Sequence, residues 1–171
     1  MADELNIRSR VERIRSVLSL SKNGILAGSL PPGKTVTGVS LTFLPDPLVQ
    51  LYNATDGPMC GVVDIWRSEE LAGNQFLIQD LHDPNLYCFG QAIYVPLVVN
   101  LKTSEVFLCD YEEEGSRLPV AKVESFISDY LLGANYSCLF RGDEDNWCKI
   151  LKSVGVEQSE DRISIWPADA G

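Results

Sequence analysis

Apolar residues recur at helical spacing at Leu5, Ile7, Val11, Ile14 and Leu18, while Arg8, Glu12, Arg13 and Arg15 fill the opposite face, which predicts an amphipathic helix over residues 4–20. Asn23-Gly24 offers a stop, and Gly28-Ser-Leu-Pro-Pro-Gly33 reads as a turn or linker because paired prolines fix φ and remove donors. Val39, Leu41 and Phe43 alternate with polar residues and predict a short extended run. The best-punctuated helix follows in Leu44–Gly57. There Asp46 can cap free amides, Pro47 suits the first helical position, Leu44, Leu48, Leu51 and Tyr52 form one apolar stripe, and Gly57 supplies a left-handed stop.

Farther along, Cys60–Trp66 is β-branched enough for a buried strand, with a short polar helix at Ser68–Ala72 and a strand at Phe76–Ile78 to follow. Ile93–Leu101 and Glu105–Tyr111 predict a hairpin turning at Lys102–Ser104, with Pro96 placing its strand at an edge or a bulge. Val123, Phe126, Ile127, Tyr130 and Leu131 mark a third amphipathic helix ending at Gly133. Trp147, Ile150, Leu151 and Val154 mark a fourth, with Asp143, Glu144 and Asp145 at its start, Lys149 and Lys152 late, and Gly155 at its stop. Ile163–Trp166 is expected to add a last strand. Leu48, Leu51, Phe126, Ile127 and Leu131 are the expected core.

Composition narrows the class. At 171 residues, with 45% hydrophobic and 22% charged residues, the chain has globular proportions and the length of one domain. The expected division is an N-terminal helix and linker at 1–34 docking on the body, one α/β domain at 35–166 with a C-terminal helix, and a disordered tail at 167–171. Net charge is −10 and unevenly placed: residues 1–34 hold six Lys/Arg against three Asp/Glu, leaving eight against twenty-one, a net of −13, in the rest. Such a field repels nucleic acid and anionic lipid and steers basic partners inward. Five cysteines, an odd number without a close pair and mostly in apolar contexts, read as buried, reduced thiols in a cytoplasm. Charges in the first sixteen residues stand where a signal peptide needs an apolar core, and no apolar run approaches the roughly 18 residues of a membrane span.

Catalytic chemistry has little material. The only histidine, His82, sits among turn-forming residues, and no nucleophile elbow, phosphate loop or dinucleotide fingerprint occurs. A Cys-His hydrolase would have to use Cys60 or Cys88 with His82 as base. One histidine and dispersed cysteines lack zinc ligand pairs, and the acidic runs 110–114 and 143–145 lack the ligand spacing of a calcium loop. The basic cluster Arg8, Arg10, Arg13 and Arg15 has no exposed aromatic companions suited to nucleic acid. No cofactor, metal or catalytic residue is therefore expected, and the residues specify no oligomeric state.

Taken in order, Leu44-Pro-Asp-Pro through Asp56-Gly57, a strand to Trp66, Phe89-Gly90, a hairpin ending in Cys109-Asp110-Tyr-Glu and the helix Val123-Glu-Ser-Phe-Ile-Ser-Asp-Tyr-Leu131 resemble the SUKH superfamily across roughly residues 40–133. The resemblance implies an α+β fold with a mixed, mainly antiparallel sheet flanked by helices. It also implies a non-catalytic bacterial immunity protein that binds a toxin, often a nuclease; related members are interaction hubs that serve no toxin. An acidic body suits the occlusion of a basic toxin surface. The expected partner surface is the loop of Asp110, Glu112, Glu113 and Glu114, then Asp143, Glu144 and Asp145, with the face near Trp66 as the uncharged alternative.

Overall fold

The structure is a computed structural model that describes residues 6–34, 40–110, 116–161 and 163–167; of Asp110 only the backbone is described. Its centre is a seven-stranded sheet in sequential order, β1 (Gly28–Ser29), β2 (Met59–Cys60), β3 (Val63–Ile65), β4 (Leu86–Ala92), β5 (Val95–Asn100), β6 (Glu105–Asp110) and β7 (Ser116–Lys122). Every pairing is antiparallel, so the fold is α+β, with antiparallel neighbours throughout the described sheet.

Helices α1 (Ile7–Leu20), α3 (Asp46–Ala54) and α5 (Asn146–Ser153) contribute buried stripes to the main core, together with α4 (Val123–Ser125) and the π-helical segment Phe126–Leu131 that continues it. Alternation divides the sheet between two faces. Val63, Ile65, Phe89, Leu97, Val99, Val106 and Leu108 join the helical core, whereas Leu86, Cys88, Val98 and Cys109 form a smaller cluster on the other side. The five residues expected in the core are all fully buried. α1 is tied down by its arginines: Arg15 donates to the carbonyls of Leu30, Pro31 and Ala54, and Arg10 to that of Ser128. The Arg10 bond accounts for the π segment. Leu132 N–H closes on Ile127 O, five residues back, leaving Ser128 O to the guanidinium at 2.7 Å.

Several segments depart from the reading of the sequence. Gly28-Ser29 is a strand rather than part of a linker, paired with Cys60 and Met59, and Asn23-Gly24 opens a short helix, α2 (Gly24–Ala27), after α1 has ended at Leu20. α3 begins at Asp46 with Pro45 in the cap position, so Asp46 makes no side-chain cap and Pro47 is the second helical residue. Cys60–Trp66 is not one strand: Gly61, at φ +59, turns it into a two-residue hairpin between β2 and β3. The expected polar helix and strand over 68–78 are instead a turn followed by a 3₁₀ helix, Ala72–Leu81, whose partly buried Leu77, Ile78 and Leu81 pack against the smaller cluster.

β4 and β7 join the expected hairpin as further strands. β4 carries a bulge between Cys88 and Gly90, where the Gln75 amide replaces a strand partner by accepting from Cys88 N and donating to Cys88 O. The strand expected from Ile93 begins only at Val95. Pro96 lies in an interior strand, yet β5 pairs with β6 only over Leu97–Val99, so the missing N–H spoils no bond on that side. Ile163–Trp166 is irregular, held by Ile165 N–H on Cys138 O and the Trp166 indole on Leu139 O. Of the expected tail only Pro167 lies within the described residues.

Candidate functional site

Glu112, Glu113 and Glu114 lie outside the described residues. The backbone of Asp110 pairs with Ser116 at the end of the β6–β7 ladder, which puts the ends of that acidic loop at one edge of the sheet.

The second acidic run divides by role. Asp145 is the N-cap of α5: one carboxylate oxygen accepts from Cys148 N at 2.9 Å, the other from the Tyr136 hydroxyl at 2.6 Å. Tyr136 in turn accepts from Val62 N–H at 2.8 Å. Burial, then the carboxylate of Asp145, pushes the Tyr136 phenol far above its ordinary pKa, so it remains a donor. Glu144 pairs with Lys152 at 2.7 Å, and Asp143 is exposed. Asp145 therefore serves the fold, and Asp143 and Glu144 face solvent beside it.

Trp66 belongs to a better-formed site. Its N–H donates to Phe89 O and its carbonyl accepts from the Tyr52 hydroxyl at 2.9 Å, so the backbone is fixed between β4 and α3. Asp56 fastens the following turn by accepting from both the backbone and the hydroxyl of Ser68. Gly57 enters this arrangement at φ +79, and a side chain there would press on Arg67. These tethers leave an open cleft of about 640 Å³ lined by Asp64, Ile65, Trp66, Arg67, Glu70, Gly73 and Asn74.

The cleft is electrostatically unfinished. Burial raises the pKa of the Asp64 carboxyl, Glu70 adds to that rise, and a 3.4 Å hydrogen bond from Gln91 opposes it. Glu70 accepts from Arg67 N–H at 3.0 Å, but neither carboxylate has an ion pair among the described residues. The indole N–H of Trp66 is buried near the Cys88 sulfur without a hydrogen bond of normal geometry. Two carboxylates, the Trp66 indole and the Asn74 amide share this open recess with the Arg67 side chain, so acidic groups outnumber basic ones there by one. Trp66 was legible as the sequence's uncharged alternative; Asp64 and Glu70 were not singled out, since nothing in their local pattern sets them apart from ordinary surface acids.

The Cys88 thiol donates to the Gly90 carbonyl rather than to His82. All five thiols are free and buried. Burial raises the pKa of Cys60 and Cys88, opposite to what an attacking thiolate needs, and His82 is exposed at the end of the 3₁₀ helix. Among the described residues no group of three or more His, Cys, Asp or Glu could hold a metal ion, and no helix is long and apolar enough to cross a membrane. Compared with known proteins, the chain matches no family model and no curated sequence.

Proposed function

We propose that this chain is a non-catalytic binding module for a basic protein, acting in the cytoplasm as an immunity protein that occludes the cationic surface of a toxin, such as a nuclease, as the SUKH resemblance implies. The observation that carries this reading is the Trp66 cleft, where Asp64 and Glu70 face a preformed recess without an ion pair among the described residues. A partner's arginine or lysine would relieve the repulsion between these carboxylates and lie against the indole. The net charge of −13 over residues 35–171, which includes the 110–114 run, Asp143 and Glu144, would draw such a partner in over a longer range.

The test uses the basic protein recovered by co-expression with the neighbouring gene product. Asp64→Asn with Glu70→Gln keeps side-chain size and should slow association by about 10-fold at low salt, the difference shrinking as salt screens the field. Because the Asp64 pKa is raised, wild-type affinity should begin to fall at a higher pH than an ordinary aspartate would give. An unchanged association rate across ionic strength would remove the cleft from the interface.

A further inference from the structure

The β4–β5 hairpin turns on Ile93 and Tyr94, both in the left-handed region, at φ 51 and 65. A two-residue turn with this geometry ordinarily takes Asn-Gly, because a residue with a bulky or β-branched side chain clashes with its own backbone there. The sequence instead spends this turn on two large hydrophobic residues, and the fold gains little from them: Tyr94 is 86% exposed and Ile93 39%. The turn is nevertheless firmly held. Ile93 N–H donates to Val62 O at 3.0 Å, Val62 N–H to the Tyr136 hydroxyl, and that hydroxyl to Asp145 at the cap of α5. Gly61 closes the neighbouring turn where a side chain would collide with the Tyr136 hydroxyl.

A strained turn that exposes an aromatic side chain on a rigid support is the arrangement expected of an interface anchor, since little ordering remains to be lost on binding. Its surroundings indicate the occupant. Exposed Asp143, which has no ion pair among the described residues, lies two residues before the Asp145 cap to which the turn is tied, whereas Glu144 is already paired with Lys152. On the strands beneath it, Asp64 of the cleft pairs with Gln91, two residues from Ile93. We propose that Ile93 and Tyr94 are the apolar anchor of the partner interface, inserted into an apolar pocket that basic residues surround on a cationic protein. This rests on the binding function proposed above and adds the residues on which affinity, rather than encounter rate, depends.

The experiment compares wild type, Tyr94→Ala, and Ile93→Asn combined with Tyr94→Gly. All three are immobilised against the soluble proteome of the source organism, and each retained protein is identified, purified and titrated. The double variant relieves the turn and should raise Tm by about 5 °C while losing the partner. Tyr94→Ala should weaken a basic partner at least about 30-fold, mainly through faster dissociation. A basic partner held equally well by wild type and Tyr94→Ala would overturn the anchor and leave the proposed function standing. Retention of no basic protein by wild type would overturn both. A Tm several degrees lower in the double variant would show that these residues serve the fold, and would overturn the strain on which the anchor rests.

Discussion

The two faces of the sheet do different work. On one, α1, α3, α5 and the Val123–Leu131 stretch cover the strands with side chains that exclude solvent completely, among them Leu48, Leu51, Tyr52, Phe126 and Trp147. Phe89 and Phe126 meet edge to face at 5.9 Å, and the Trp147 indole donates to Leu131 O. On the other, a single 3₁₀ helix covers four buried residues with partly buried Leu77, Ile78 and Leu81, leaving Asp64, Gln91 and Trp66 half exposed beside a cleft. Stability is concentrated on the helical side, so the thinly covered side can carry carboxylates and strained turns without unfolding the chain.

The comparison can be broken most directly at Leu51. Leu51→Ala should cost about 2–5 kcal/mol in urea unfolding, because the residue is enclosed on all sides and its neighbours belong to several elements. A loss below about 0.5 kcal/mol would mean that the helical face is not the stable one. Asp145→Ala should cost about 2–3 kcal/mol by the same measurement, since it removes the α5 cap and leaves the buried Tyr136 hydroxyl short of an acceptor.

Alkaline pH probes both sides through their thiols. Burial pushes Cys109, on the thin side, from 9.0 up to about 11, and Cys148, on the helical side, up to about 12. The folded state holds these protons more tightly than the unfolded state, so their stabilisation is whole below pH 9. It falls as the unfolded thiols ionise, and is gone once pH passes the folded values. Unfolding free energy should therefore drop between pH 9 and 11 by about 2 kcal/mol for each of these two thiols, and Cys109→Ala should remove its share of that slope. The smallest effect is expected beneath the cleft: Leu77→Ala should cost only about 1 kcal/mol, as the residue is already partly exposed. A cost equal to that of Leu51→Ala would erase the contrast between the faces.

Elements that bury one stripe were legible from residue spacing. The helical regions begun by Ile7, Asp46, Val123 and Asn146, and the β5–β6 hairpin, have their core faces where the apolar period puts them. Buried cysteines followed from apolar neighbours in the same way. Such local patterns fix which side of an element seeks the core whatever it packs against.

What escaped the sequence depends on a partner distant in the chain. β4 mixes buried residues on both faces with a glycine and needs the Gln75 amide at its bulge; β7 is an exposed edge carrying Pro119; the π segment forms where Arg10 claims a carbonyl 118 residues away. The site divides likewise. Trp66 and the acidic runs were visible as residue types, but the cleft exists only because Tyr52, Asp56 and Phe89 hold its walls. The Ile93–Tyr94 turn carries no turn-forming residue at all, so the sequence reads as continuous strand; pairing of Ala92 with Val95, and of Ile93 with Val62, bends it there. The sequence by itself determined which faces are apolar and how much charge surrounds them, because those are sums over neighbouring residues. Tertiary structure decided where the backbone turns and which carboxylates are left without a cation, because hydrogen-bond partners and ion pairs are fixed only when distant segments meet.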